Sequence, residues 1–293
     1  MWMSAKGITA YGGLVVLSLI WGMAFVAIKA TVAELSPVNL ALMRWLIAAI
    51  PFIVLLPLIG RPKVRFQRRD LPRILVVALA NVAGYHVSLN YAETTLSAGL
   101  SALLIAFGPI FIVILSYVLL KEKAGRRIFL GLGLATAGTV VLSIGSIGAN
   151  DFSSIAGIVE ALFTALCYAL FAVLGKPLVQ KYGSAPTTIL AGLIGTAMMT
   201  PLLSWSFFSQ AASLSFSGWL SVLYLGLLST VFGYLMFYAL VSRGAVSRLS
   251  IQLYLIPVVS VVGGALLLAE QVTPTVVVGG GMMLAAVAIS TWR

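Results

Sequence analysis

Residues 96–119 read LSAGLSALLIAFGPIFIVILSYVL, an apolar run without a charged side chain. A helix needs about 20 such residues to cross the hydrocarbon core of a bilayer. Nine further runs of similar length fill most of the 293-residue chain, which is 61% hydrophobic and only 9% charged. The sequence therefore predicts an all-α membrane protein with ten transmembrane helices. We place them at 8–28, 38–59, 72–92, 96–119, 127–147, 153–175, 186–207, 217–240, 247–268 and 274–292.

Basic residues orient these helices. If alternate loops face opposite sides, all Lys and Arg except Lys29 and Arg44 fall on one side, which is 16 of the 18. Cytoplasmic loops of membrane proteins are enriched in Lys and Arg. We therefore expect both termini in the cytoplasm. The net charge of +11 is explained by these loops, so we expect no nucleic-acid partner.

The two halves of the chain resemble each other at an offset of 147 residues, which becomes 148 after one insertion. Five helices per half is an odd number, so the second half starts on the opposite side of the membrane. Such inverted repeats are a known plan of secondary transporters, with the substrate near the midplane between the halves. The repeat predicts two units, residues 1–149 and 150–293. The matching positions are Lys29 with Lys176, Tyr91-Ala92 with Tyr238-Ala239, Pro109 with Pro257, Glu122 with Glu270, and Gly131 with Gly279.

These closing motifs, together with Trp21-Gly22 and Lys29 in the first helix and Arg44 with Ala48 in the second, carry a family resemblance. The chain resembles the drug/metabolite transporter superfamily, specifically its EamA-type ten-helix exporters. Within that group it is most similar to the YddG-type aromatic amino-acid exporters. The resemblance implies an inner-membrane exporter of amino acids that works by alternating access, with membrane lipid and a small-molecule substrate as its partners.

The third helix is the richest in polar side chains. Asn81, Tyr85 and Ser88 follow the i, i+4, i+7 spacing of one helix face. His86 and Asn90 share another face, about 100° around a regular helix. Which of these faces lines a cavity stays open. His86 either packs as a satisfied residue or contacts the ligand or a proton.

Aromatic and polar side chains of other helices complete the predicted cavity. Trp21 on the first helix and Tyr168 on the sixth occupy stripes that the repeat relates to each other. Rings and hydroxyls suit an amphipathic, aromatic substrate, although such side chains also serve in helix packing and at membrane interfaces. The predicted substrate-binding residues are Trp21, Asn81, Tyr85, His86, Tyr168, Tyr234, Gln252 and Tyr254.

Two ionisable residues lie at similar depths in their helices. Arg44 and Glu160 each lie roughly 10 Å below the outer end of a span, at 1.5 Å per residue. Our favoured interpretation is a buried ion pair, which would offset part of the cost of each charge. In the functional alternative, Arg44 binds the substrate carboxylate and Glu160 meets the ammonium group. A proton-driven mechanism would require Glu160 or His86 to titrate.

Pro109 and Pro257 occupy equivalent, mid-span places in the two repeats. Proline removes a backbone hydrogen bond and kinks a helix. Paired kinks predict either gating hinges or fixed bends.

Several motifs are absent from the sequence. There is no G-x-x-x-x-G-K-[ST] loop, HExxH or CxxC, and Cys167 is the single cysteine. We therefore expect no ATP, no cofactor, no metal and no catalytic residues. The alternatives to an amino-acid exporter are an exporter of cationic drugs or other metabolites and, more remotely, an intramembrane enzyme. An enzyme would depend on His86, Ser88 and Glu160, and Ser88 diverges from His86 on a helix.

Overall fold

The computed structural model is made of helices joined by short connections, and the part of the chain that it describes contains no strand. The described residues are 5–59, 62, 64–120, 126–146, 152–242 and 250–291. Seven of the described helical spans are long and apolar enough to cross a membrane, and three shorter apolar helices lie at 129–142, 255–268 and 274–286. Helices occupy most of the described part of each predicted apolar run, so the predicted all-α membrane fold is confirmed.

The described part of the first half contains seven α-helices and one π-helix, besides a 3-10 turn at Arg68–Asp70. These are α1 (Ala5–Thr31), α2 (Pro37–Ile59), α3 (Leu71–Ala78), π1 (Leu79–Tyr85), α4 (His86–Thr95), α5 (Ala98–Ile105), α6 (Gly108–Leu120) and α7 (Arg126–Ser146). The second half has α8 (Phe152–Tyr182), α9 (Ser184–Met199), α10 (Trp205–Ser213), α11 (Phe216–Leu223), π2 (Tyr224–Phe232), α12 (Gly233–Ser242), α13 (Ser250–Leu268) and α14 (Pro274–Thr291).

The third and eighth spans share an unusual feature, a π-helical section in the middle. π1 joins α3 to α4, and π2 joins α11 to α12. Shifting residues 79–85 by the 147-residue offset of the repeat gives 226–232, which falls inside π2. The same backbone irregularity therefore recurs at the same place in both halves. π-turns are rare and occur mostly at functional sites.

The equivalent prolines of the two repeats differ in their effect on the backbone. The fourth span breaks between α5, which ends at Ile105, and α6, which begins at Gly108. Pro109 explains the break, because its ring would meet the carbonyl of the residue four positions earlier, which is Ile105. By contrast, α13 continues through Pro257 without interruption. The side chain of Pro109 lies outside the described residues.

The seventh span ends earlier than the predicted 186–207. Its α-helix stops at Met199 and is followed by a 3-10 turn at Thr200–Leu202 and then by the separate helix α10. Pro201 lies in that turn, where proline favours the end of a helix. Trp205, which lies within the predicted range, is 84% exposed on α10, and Phe208, just beyond that range, is 57% exposed. Exposed aromatic side chains beside a span are typical of the membrane interface.

Helix packing is symmetric with respect to the two halves. α1 packs on α13, as its repeat counterpart α8 packs on α6. Likewise α4 packs on α8, and its counterpart α12 packs on α1. The repeat relates α2 to α9 and α7 to α14, and each of these two pairs is in contact. Exchanging the halves leaves this pattern unchanged, as a two-fold relation requires. The division at 149/150 falls among residues outside the described part and stays a prediction.

Connections that the charge pattern assigns to one side of the membrane meet in the structure. At the more basic side, the Lys181 Nζ lies 2.5 Å from Asp70 Oδ2, and the Tyr182 hydroxyl also donates to Asp70. At the opposite side, Glu34 Oε2 accepts from the backbone N–H of Ser215 at 2.8 Å. The alternation of the loops is therefore consistent with the helix packing.

Gly84 allows π1 to lie close against α8. A Cβ atom at position 84 would lie 2.7 Å from the Cys167 sulfur but 3.6 Å from the Cys167 Cβ. Cys167 is buried. The sulfur alone therefore decides whether a methyl group fits at this contact.

We expect Gly84→Ala to lower the free energy of unfolding by roughly 1–3 kcal/mol, because it overpacks this contact. Cys167→Ala in the same protein should restore most of the loss. The measurement is thermal and denaturant unfolding of the four proteins of this double-mutant cycle. Gly133→Ala on α7, where a Cβ meets nothing within 4 Å, is the control. Equal effects of Gly84→Ala with and without Cys167 would contradict the packing described.

Candidate functional site

Polar and aromatic side chains from both halves meet in the middle of the bundle. The second span, the π-helical sections and the helices that follow them supply most of this cluster. Trp21, Tyr85 and Tyr168 are half-buried, whereas Asn81, His86 and Tyr234 are buried. Polar groups in the interior of a membrane protein are expensive and usually functional. We call this group the central cluster, and it comprises Trp21, Arg44, Trp45, Asn81, Tyr85, His86, Tyr168, Phe171, Ser229, Thr230 and Tyr234.

Arg44 connects the second span to π2. Its Nε donates to the Thr230 hydroxyl at 2.7 Å, and its Nη2 donates to the Ser229 hydroxyl at 3.0 Å. A guanidinium has five N–H donors, and Nη1 has no hydrogen-bond partner among the described residues. Both partners are neutral hydroxyls. Arg44 therefore keeps its positive charge and an unused donor edge.

Asn81 and Tyr234 join the two halves directly. The Tyr234 hydroxyl donates to Asn81 Oδ1 at 2.9 Å. Asn81 lies in π1, and Tyr234 lies just after π2. Trp21 adds a second contact to π2, because its Nε1 donates to the backbone carbonyl of Ser229 at 3.0 Å. Gly233 leaves room for that indole, since a Cβ there would lie 2.6 Å from Trp21 Nε1.

The His86 ring has two competing contacts. The Trp45 indole N–H donates to His86 Nδ1 at 3.1 Å, and the same nitrogen lies 2.8 Å from the Asn81 carbonyl oxygen. An indole N–H only donates and a carbonyl oxygen only accepts. Nδ1 can therefore satisfy one of them at a time, depending on its tautomer. His86 Nε2 is buried without a hydrogen-bond partner among the described residues.

Tyr234 lies at the centre of the aromatic side chains. Its ring centroid is 5.8 Å from that of Trp21, 6.1 Å from Trp45 and 6.1 Å from Phe171. Tyr85 extends the group to the sixth span, 6.4 Å from Tyr168. Such tilted and edge-to-face arrangements are favourable for aromatic pairs. Trp21 and Arg44 both bind Ser229, through its carbonyl and its hydroxyl respectively, so the aromatic group and the guanidinium meet at the same residue of π2.

The sequence model of the EamA-like transporter family matches residues 8–144 and, a second time, residues 155–292. The chain belongs to the EamA-like transporter family. It is a multi-pass membrane protein of a family that transports small molecules. The two matches fall within residues 1–149 and 150–293, the two units that the repeat predicts.

Several proteins are similar along most of this EamA-like chain. An uncharacterized transporter of Archaeoglobus fulgidus is 36% identical over 253 residues, covering 86% of this chain and 88% of the relative. A Streptantibioticus cattleyicolor protein named "Probable terminal-alkyne amino-acid exporter" is 29% identical over 282 residues, 96% of this chain and 92% of that protein. A Salmonella typhimurium protein named "Probable amino-acid metabolite efflux pump" is 25% identical over 275 residues, 87% and 85% of the two chains.

A crystal structure shares the fold of this EamA-like transporter. Its TM-score is 0.66 at 18% sequence identity, and the match covers 96% of this chain and 95% of the other. At this identity the likeness concerns the fold alone.

The predicted ion pair of Arg44 with Glu160 is not formed. Arg44 donates to Ser229 and Thr230 instead, and no salt bridge joins Arg44 to Glu160 among the described residues. The second span packs against α4, α9 and π2, whereas Glu160 lies on α8, which packs against α4, α6 and π1. Equal depth in the membrane did not make the two residues neighbours. Glu160 is half-buried outside the central cluster.

The two faces assigned to the third helix come together. The spacing argument assumed a regular α-helix, but residues 79–85 form a π-helix. His86 contacts the carbonyl of Asn81 and the ring of Tyr85, whose centroid is 4.9 Å away. Asn90, on the same side as His86, donates to the Pro37 carbonyl at 2.9 Å. His86 therefore joins the cluster, and Asn90 ties α4 to the start of the second span.

Three further predicted residues, Gln252, Tyr254 and Pro257, lie on α13. Gln252 and Tyr254 belong to α13, but their side chains lie outside the described residues. Pro257 is buried within α13. The described residues contain no group of three His, Cys, Asp or Glu side chains that could hold a metal ion.

Three residues of interest were missed by the sequence argument. Trp45 is adjacent to Arg44 and is 1% exposed, and its apolar bulk gave no sign of its bond to His86. Ser229 lies next to Thr230 in the apolar eighth span, where a single serine does not by itself indicate a binding site. Glu93 lies one residue beyond the predicted end of the third span, although it is an acidic residue at the edge of an apolar run. That last signal could have identified it.

We expect Tyr234→Phe to lower the free energy of unfolding by roughly 0.5–1.5 kcal/mol, because it removes the bond to Asn81 and leaves Oδ1 unpaired. Unfolding of the purified protein measures the change. Tyr117→Phe is the control, because Tyr117 is 59% exposed. A Tyr234→Phe protein as stable as the control would show that this bond does not hold the halves together.

Proposed function

We propose that the protein is a secondary transporter that exports amino acids with aromatic or apolar side chains from the cytoplasm, as YddG-type exporters do. One observation carries this proposal. Arg44 presents a positive, partly unused guanidinium at Ser229 of π2, whose carbonyl binds Trp21, and the Trp21 ring packs on Tyr234 at the contact between the halves.

The chemistry of the central cluster fits such a substrate. A planar guanidinium recognises a carboxylate through parallel, charge-assisted hydrogen bonds. Aromatic surroundings favour an apolar or aromatic side chain over a charged one. Two relatives carry names that refer to amino-acid export, at 29% and 25% identity. These names support the substrate class without specifying the amino acid.

Alternating access explains how a substrate reaches this site. Asn81, His86 and Tyr234 are buried in the conformation described, so entry requires the halves to separate. π1 and π2 are suited to this movement, because a π-turn is a local irregularity of the helix and recurs at matching places in both halves. The prolines at 109 and 257 add a break in one half and a bend site in the other. No ATP-binding motif is present in the sequence, so we assign the driving force to a gradient.

The orientation follows from the charge pattern. We place the protein in a bacterial inner membrane with both termini in the cytoplasm, because the basic loops then lie inside. Substrate is loaded from the cytoplasm and released on the opposite side.

The alternative functions fit the central cluster less well. An exporter of cationic drugs needs a carboxylate that faces the ligand, but Glu160 lies outside the cluster and both Glu93 oxygens are buried. An intramembrane enzyme would need His86, Ser88 and Glu160 to converge. No hydrogen bond joins them among the described residues.

We expect purified protein in liposomes to exchange labelled phenylalanine, and we expect Arg44→Lys and Arg44→Met to weaken its binding. Loss of charge-assisted bonds worth roughly 1.5–3 kcal/mol corresponds to about 10-fold to 150-fold in affinity. Counterflow at a series of phenylalanine concentrations, with leucine, lysine and a cationic dye as competitors, measures the effect. Arg73→Met, at an exposed position on α3, is the matched control.

Two results would contradict the proposal. Competition by the cationic dye but by no amino acid would favour the drug exporter. Unchanged phenylalanine affinity in both folded Arg44 variants would remove Arg44 from the substrate site.

A further inference from the structure

Glu93 is a fully buried acidic residue near the end of α4. Its side chain is 0% exposed, and neither carboxyl oxygen has a hydrogen-bond partner among the described residues. A bare carboxylate in a low-dielectric interior is very costly, whereas a protonated carboxyl group is neutral and far cheaper to bury. The enclosed position of Glu93 therefore suits the protonated form.

A cation lies within reach of the same residue. The Lys29 Nζ on α1 donates to the backbone carbonyl of Glu93 at 2.7 Å. The ammonium group thus contacts the main chain of Glu93 and not its carboxyl group. A rotation of the Glu93 side chain would bring its carboxylate to Lys29. A half-buried ammonium group would then stabilise the ionised form.

The other elements packed on α4 contribute a small set of charged and titratable groups. Lys29, Glu270 and Arg44 act electrostatically on Glu93. α5 contributes no titratable side chain, and π1 contributes Tyr85. The groups on α8 are Glu160, Cys167, Tyr168, Lys176, Lys181 and Tyr182. Glu270 does not serve as the partner of Glu93, because its Oε1 accepts from the backbone N–H of Ala98 at 2.9 Å.

We propose that Glu93 is a proton-binding site that alternates between a protonated, enclosed form and an ionised form paired with Lys29. The proton leaves the carboxyl oxygen for water, and the carboxylate then turns to the ammonium group. Protonation reverses both steps. The proposal rests on the transport function proposed above, to which it adds coupling to a proton gradient.

Glu93 suits this role better than the two residues expected from the sequence. Glu160 is half-buried, whereas Glu93 is fully buried. His86 Nδ1 is engaged by Trp45 and by the Asn81 carbonyl. His86 and Glu93 lie seven residues apart and hence on the same side of α4. Seven residues make about two helical turns, so the proton site lies two turns from the central cluster. Both residues carry buried polar atoms without a hydrogen-bond partner among the described residues.

Infrared difference spectra of the full chain in phosphatidylethanolamine–phosphatidylglycerol vesicles, titrated with pH, test the site without any substrate. We expect the carbonyl band of a buried carboxylic acid in the wild type. Glu93→Gln should abolish it, Glu93→Asp should shift it, and Glu160→Gln should leave it. Lys29→Met should make the band persist to higher pH, because the ionised carboxylate loses its cation. A band that is unchanged in Glu93→Gln, or its absence from the wild type, would overturn the proposal.

Transport measurements separate the failure of this site from the failure of the proposed function. We expect Glu93→Gln to retain phenylalanine exchange in the absence of gradients and to lose its stimulation by a pH gradient. Stimulation equal to that of the wild type would overturn the coupling role. If phenylalanine is not transported but the infrared band depends on Glu93, the proton site stands and the substrate proposal fails.

Discussion

Inside a bilayer, every backbone N–H and carbonyl group must find its partner within the protein. Regular helices meet this requirement by themselves, but π-turns shift the hydrogen-bond pattern and leave carbonyls for side chains. His86 approaches the carbonyl of Asn81 in π1, and the Thr230 hydroxyl donates to that of Leu225 in π2 at 2.8 Å. Trp21 binds the carbonyl of Ser229. Three members of the central cluster, His86, Thr230 and Trp21, thus contact carbonyls of the irregular backbone.

The partner of Arg44 has consequences for function. An ion pair with a glutamate would have neutralised the arginine and occupied its donors. The hydroxyls of Ser229 and Thr230 satisfy part of the guanidinium without cancelling its charge. The cost of holding a buried charge is then offset only in part, which is the condition for binding an anionic group. Both hydroxyls belong to π2, so the charge and the backbone irregularity depend on each other.

The sequence predicted the features that the lipid imposes. The ten spans follow from apolar length and the repeat from matching residues at an offset of 147, and helices occupy most of the described part of each span. The orientation that follows from the basic loops stays a prediction. The π-turns could not be predicted, because the spacing argument assigns a fixed angle to every residue. The prediction of Glu160 as the partner of Arg44 was wrong, because depth along a helix does not give the direction of a side chain. The predicted seventh span was too long because Trp205 and Phe207 continue its apolar run on a separate helix.

The central claim is that the site between the two halves opens alternately to both sides of the membrane. The most direct test places a single cysteine at Ser229, after Cys167→Ala removes the only native thiol. Labelling by a membrane-impermeant thiol reagent is then measured from each side, with and without phenylalanine. The account predicts labelling from both sides and slower labelling when phenylalanine is bound. Labelling from one side only, at a rate that phenylalanine does not change, would contradict it.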